Sequence, residues 1–400
     1  MGYGGTDSFT YTVTDPSGTS DTAVVVLNPG NSAPVISTGT SRFTKTVVTT
    51  AMPLTHIALA ADFDQDGDLD IVSTSEQDDT VAWFENDGAG GYIRHDIDNV
   101  LESAYPASVS DLDQDGDMDV LAGGYREDLH VWYENDGAGN FTSHIVAIED
   151  GPHSIFAVDM DEDGDLDLVT SAQEANTIAW RENDGSETFT THVIDSAALA
   201  AKSAVPVDLD GDGDVDIVSA SFGDNTIAWY ENDGSETFTK NVIDTDANGA
   251  YFATTADFDG DGDLDIVAAI KNDDTIAWYR NDGGSFTKIL ITADADAARH
   301  VSAADIDRDG YIDVISGCVY DNTVAVYLNH GSGVITTDIA DDAAIGAYGV
   351  IAADMHGDGL LDVLAASKTD GTVAILSQQK AQEVTLAPGD SLAIDSALLS

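Results

Sequence analysis

The chain has 400 residues, 74 of them Asp or Glu against 14 Lys or Arg, for a formal charge of −60. So large an acidic excess argues against nucleic acid or anionic membrane as a partner, because both repel it. The single cysteine, Cys318, excludes an internal disulfide framework, and no apolar stretch is long enough to insert in a membrane.

The excess acid suits a salty or calcium-rich extracellular setting. Met1-Gly2 does not begin a signal peptide, so any secretion signal is expected outside these residues. At the N-terminal end, Ser8 to Thr14 and Thr22 to Val26 alternate around the turn sequence Asp15-Pro16-Ser17-Gly18, which predicts a β-hairpin. It resembles the last two strands of the cadherin-like or immunoglobulin-like modules of bacterial adhesins. A lone hairpin is marginal in water, so residues 1–28 are expected to end a preceding module, with 29–40 as a linker. Residues 42–48 match a strand that recurs later, as in Phe141 to Val146 and Phe238 to Ile243.

From residue 41 to about 380 one pattern repeats. A run of small and apolar residues (Ile57 to Ala61) leads into an acidic stretch. An apolar run (Ile71-Val72-Ser73), a third run (Thr80 to Phe84), the turn Glu85-Asn86-Asp87-Gly88 and a last run near Tyr92 to Ile97 follow. That makes four short strands and no helical periodicity. The acidic stretches open at Asp62, Asp111, Asp159, Asp208, Asp257, Asp305 and Asp354, which are 48 or 49 residues apart. Four strands per unit at this period predict an all-β, seven-bladed β-propeller. The seventh unit lacks its last strand, so residues 42–48 are expected to complete that blade. The first strand should line the axis with small residues, such as Ala60-Ala61, Ala107-Ser108, Ala303-Ala304 and Ala352-Ala353. Trp83, Trp132, Trp180, Trp229 and Trp278, replaced by Val326 and Ile375 in the last two units, are expected to be core between blades rather than a sugar-stacking platform.

The stretch Asp62-Phe-Asp64-Gln-Asp66-Gly67-Asp68-Leu-Asp70 places five carboxylates in nine residues. Two carboxylates roughly 5 Å apart cost each other about 3 kcal/mol at an effective dielectric near 20. Alternating oxygen donors followed by a glycine for the sharp turn point to calcium among them. An EF-hand would need a Glu at position 12, which is Ser73; the closing acid is Asp70 at position 9. A loop between the first two strands of a blade is therefore expected.

These loops resemble the FG-GAP/VCBS-type repeat, the blade of integrin α-subunit heads and of many bacterial surface proteins, over roughly residues 41–377. The Phe-Gly and Gly-Ala-Pro flanks of that repeat are absent. The resemblance implies that positions 1, 3, 5 and 9 give side-chain oxygens and position 7 a carbonyl. Here those are Asp62, Asp64, Asp66 and Asp70 with Asp68; Asp111, Asp113, Asp115 and Asp119 with Asp117; and Asp159, Asp161, Asp163 and Asp167 with Asp165. They continue as Asp208, Asp210, Asp212 and Asp216 with Asp214; Asp257, Asp259, Asp261 and Asp265 with Asp263; and Asp305, Asp307, Asp309 and Asp313 with Tyr311. The seventh loop departs, with Asp354, His356, Asp358 and Asp362, and an imidazole suits calcium poorly. About six calcium sites are expected.

On the face opposite the loops, six residues before each, stand His56, Tyr105, His153, Lys202, Tyr251, Arg299 (with His300 beside it) and Tyr348. Such a ring could bind a glycan or a protein side chain, or could instead cap the channel through internal hydrogen bonds. Tyr125-Arg126, Phe222, Lys271 and Tyr320 flank it. The histidines mostly follow the repeat, and no nucleophile motif or phosphate loop is present. The chain is therefore expected to be a non-catalytic adhesion or ligand-binding module, monomeric within a longer secreted or cell-surface protein. A polysaccharide-acting enzyme domain and a rigid spacer are the alternatives. Residues 381–400, with Pro388-Gly389-Asp390, are expected to open a following module or tail.

Overall fold

The computed structural model describes residues 42–378 except Glu187 and Ser332, together with the backbone of strands at 7–14, 20–27 and 35–37. Two compact units are formed, residues 1–44 with 378–400, and Lys45–Ser377. In the first, Asp7–Thr14 pairs antiparallel with Ser20–Leu27, Asp7 lying opposite Leu27 and Thr14 opposite Ser20. Val35–Ser37 forms a third strand, with Val25 opposite Ile36. The turn at 15–18 and the segment 381–400 lie outside the described residues.

The second unit is a ring of seven four-stranded antiparallel sheets. Blade one runs outward from the axis as Thr55–Ala61, Asp70–Ser75, Thr80–Asn86 and Tyr92–Asp98. Blades two to six repeat that order, and their inner strands begin at Ala104, Pro152, Ala201, Ala250 and Ala298. Blade seven contributes Ala347–Ala353, Asp362–Ser367 and Thr372–Gln378, and its outer strand is Phe43–Thr49. Each inner strand neighbours the next, and the seventh lies against the first, so the ring is closed. The fit there is tight: a Cβ on Gly349 would stand 2.4 Å from the carbonyl of His56. The one helical turn among the described residues is Lys271–Asp273.

The core lies between blades. Second strands are buried along their whole length, as Asp70–Ser75 shows, and one cluster joins Phe63, Val72 and Trp83 of blade one to Leu101, Val120 and Tyr133 of blade two. All five Trp are buried. Trp83, Trp132 and Trp180 each carry a stacked histidine (His95, His144 and His192, centroids 4.5–4.6 Å away) whose Nε2–H donates to Glu85, Glu134 and Glu182. The indoles are therefore packing groups. Neighbouring blades are also latched by polar contacts. The hydroxyl of Tyr230 and the Nζ of Lys240 both donate to Asp195 of the preceding blade (2.7 and 2.8 Å), and Tyr279 and Lys288 do the same to Asp244. In blade three the buried Arg181 stands in the tyrosine's place and pairs with Glu149.

Candidate functional site

The Asp loops join the inner and second strands of every blade. In blade one, Asp62 accepts from the backbone N–H of Asp66 and Gly67 (3.2 and 3.1 Å), and Asp66 accepts from Asp68 N–H at 2.9 Å. These bonds wind the loop about its own carboxylates. Gly67, with φ near +96°, occupies a region that costs a side-chain-bearing residue dearly, and Gly116, Gly164, Gly213, Gly262 and Gly310 repeat it. Asp70 is fully buried and accepts from Phe63 N–H (3.1 Å) and Asn86 N–H (2.7 Å), tying loop start to third strand. Asp119, Asp167, Asp216, Asp265 and Asp313 make the same two bonds. Burial pushes all six of these carboxyls up to about 6, against the pull of those donors.

The donor sets fit a hard divalent cation. Carboxylate oxygens of Asp62, Asp64 and Asp66 lie within 4.8 Å of one another, as do those of Asp111, Asp113 and Asp115, of Asp159, Asp161 and Asp167, and of Asp208, Asp210 and Asp212. Buried Oδ1 atoms of Asp111, Asp159, Asp259 and Asp305 have no protein partner, which leaves them available to an oxygen-seeking ion. Two loops differ. In the sixth, His330 Nδ1 lies 3.1 Å from Asp309 Oδ2, bringing an imidazole to Asp307 and Asp309. In the seventh, His356 Nδ1 is 2.7 Å from Asp362 Oδ2, so the imidazole lies against the position-9 carboxylate that a cation would share. The position-7 side chains do not join these clusters. Asp68 and Asp117 abut Gly88 and Gly137 in the turn after the third strand, and the Tyr311 ring abuts Gly331.

The structure brings the seven ring residues together at the axial mouth on the other face. A register shift interrupts each inner strand there, and in blades three to six the unpaired residues are His153, Lys202, Tyr251 and Arg299. Such bulges re-aim a side chain. Tyr105 Oη and Tyr251 Oη are 2.8 Å apart, and Tyr348 bonds to both hydroxyls, so three tyrosines close the axis. His56 Nε2 lies 2.7 Å from Glu76 Oε2, and His153 Nδ1 2.7 Å from the carbonyl of Lys202. The Arg299 guanidinium sits over the rings of Tyr251 and Tyr348, at 5.3 and 5.0 Å. Lys202 Nζ lies 5.1 Å from the Tyr251 centroid and bonds Gln173. His300 instead lies tilted against Phe252, with ring centroids 4.1 Å apart.

Burial and crowding set the charges of the ring. Burial takes His56 down to about 3, while its hydrogen bond, and then Lys368, hold Glu76 down to about 2. Burial, Arg299, Lys271 and Lys368 together lower Lys202 to about 7. A cavity of about 380 Å³ adjoins the ring, lined further toward the loops by Leu59, Ser108, Phe156, Thr254, Ser302 and Ile351. This second layer lies three residues before each loop and includes side chains much larger than the small residues expected at the axis. Its constant offset from the loops was the available signal. The bulges had none, since hydrophobic period does not register one extra residue.

Six FG-GAP-like repeats match the chain, at residues 62–122, 111–170, 159–219, 208–268, 257–316 and 307–365. No curated protein matches it. Among solved structures, BBS1N in its complex with ARL6DN is similar, with a TM-score of 0.61 at 11% identity, over 85% of this chain and 98% of that one. A functionally unknown protein from Desulfotomaculum acetoxidans is similar with a TM-score of 0.51 at 12% identity, over 81% of this chain and 94% of that one. At such identity these two speak for the fold alone. The matched repeats run from the first Asp loop to the second strand of the seventh blade, and the chain belongs to the FG-GAP-like repeat family.

Proposed function

We propose that this chain is a calcium-stabilised, non-catalytic binding module of a secreted or cell-surface protein, which holds a glycan or protein ligand at the axial mouth away from the Asp loops. One observation carries the binding role. The Asp loops keep nearly the same side chains around the ring, whereas the equivalent axial positions carry His, Tyr, Lys and Arg. A purely structural ring has no need of that variety. Calcium is supported by the oxygen-only donor clusters of the first four loops and by unpartnered carboxylate oxygens in the second, third, fifth and sixth.

The tyrosine closure favours a second role, a rigid spacer, since part of the ring is satisfied internally. Retention on a glycan array separates the two. Alanine at Tyr105, Lys202 and Tyr251 together should abolish retention while unchanged circular dichroism confirms the fold, although losing the hydroxyl contacts lowers the melting temperature. A wild-type chain retained by nothing on the array would leave the spacer role. Release of reducing ends or unsaturated products from polysaccharide would show an enzyme instead.

A further inference from the structure

Four of the chain's 14 basic residues meet at the axial mouth: Lys202, Lys271, Arg299 and Lys368. Lys202 and Lys271 lie 5.8 and 5.2 Å from the same Phe222 ring, and Arg299 and Lys368 lie 5.0 and 5.7 Å from that of Tyr348. Of the other basic residues, Lys45, Arg94, Arg181, Lys240, Arg280 and Lys288 each pair with a carboxylate, while Arg126, which flanks the ring, and Arg308, in the sixth Asp loop, stand singly. At the mouth only Lys368 does, with Glu76 at 2.9 Å, and Glu76 is shared with His56. Among the described residues, Lys202, Lys271 and Arg299 have no carboxylate partner. In a chain with 74 acids this is not for want of carboxylates. Glu174 acts on Lys202 only from beyond ion-pair distance, and like charges drawn together with one direct ion pair among four are costly, the more so where burial weakens screening.

The remaining groups describe the rest of the missing ligand. A carboxylate and a carbonyl can only accept, so His56 donates through Nε2 and His153 through Nδ1. Burial holds both rings neutral, which leaves His56 Nδ1 and His153 Nε2 as buried acceptors without a partner, while the Nε–H of Arg299 is a buried donor without one. His56, His153, Lys202 and Arg299 all line the same cavity, whose roughly 380 Å³ is in the range of small-ligand sites. Cations answer a carboxylate, and imidazole lone pairs answer hydroxyl donors.

Resting on the binding role proposed above, we infer that the axial mouth takes an acidic sugar unit of a polysaccharide, its carboxylate held by Lys202, Lys271 and Arg299 and its hydroxyls by His56 and His153. Glu76 and Glu174 at the rim repel a ligand bearing charge without a matching seat.

Calorimetric titration of the calcium-loaded full chain tests this, with trigalacturonate, the neutral galactose trimer and acetate as probes. Trigalacturonate should bind at least tenfold more tightly than either other probe. Lys271→Glu, at a partly exposed position, and Lys202→Met, which removes a charge from a buried one, should each weaken it more than tenfold. Unchanged affinity in both variants, which bridging through calcium at the Asp loops would give, overturns the inference. So does acetate binding as tightly as the trimer. Equal binding of the neutral trimer overturns it while leaving the binding role standing. Failure of every glycan on the array would remove that role as well.

Discussion

His130 stands where the other blades carry Val81, Ile178, Ile227, Ile276, Val324 and Val373. It is fully buried, and neither ring nitrogen has a hydrogen-bond partner. Burial, with Arg181 adding to it, takes its pKa down to about 3. The unfolded chain then takes up a proton below about pH 6.5 that the folded chain refuses until about pH 3. Stability from this residue is therefore lost as pH falls through that window. His130→Ile should raise unfolding free energy by about 1–3 kcal/mol, the cost of an unsatisfied buried polar group. It should also flatten the slope of stability against pH between 6.5 and 3. Denaturant titrations at pH 7 and pH 4.5 check both, and a variant as acid-sensitive as the wild type would refute the account.

At the scale of elements, the seventh loop and the inter-blade latches make separate tests. His356 engages Asp362 at 2.7 Å in place of a shared cation, so His356→Asp should restore the repeat's donor set and add one calcium ion per chain. Atomic absorption after equilibration in calcium counts it; an unchanged count would mean that the loop's backbone, not the imidazole, bars the ion. Asp195 receives both Tyr230 and Lys240, and Asp195→Ala should cost about 1–3 kcal/mol by leaving a buried hydroxyl unpaired. Thr292→Ala, at the position Asp195 holds in blade three, should cost less, because the hydroxyl of Tyr327 in the following blade instead accepts from Ser316 Oγ at 3.4 Å. The blades and the Asp loops were legible because each is written in consecutive residues and repeated. The latches join residues 35 apart on different blades, and the three tyrosine hydroxyls meet from residues 105, 251 and 348. No local pattern records such meetings. The ring positions could be read from their fixed distance to the loops, but not which of them bond to one another and which stay unpaired.

At the scale of the whole molecule, a charge of −60 and seven acidic loops set stability against self-repulsion. Each occupied calcium site stabilises the fold by about 2.7 kcal/mol when free calcium is a hundredfold above its Kd. With about six such sites filled, as proposed above, chelation would remove several times that amount. Excess chelator should lower the melting temperature steeply, and monovalent salt should recover part of the loss by screening. No shift and no bound calcium would dismantle the metal assignment. Closure of the ring also fixes how the module carries load. The chain enters it on Phe43–Thr49 and leaves it on the adjacent strand Thr372–Gln378 of the same sheet. Tension applied between those two points bears on one ladder of hydrogen bonds. The other six blades lie outside the line of force, and a pull that parts that ladder would open blade seven while they remain folded.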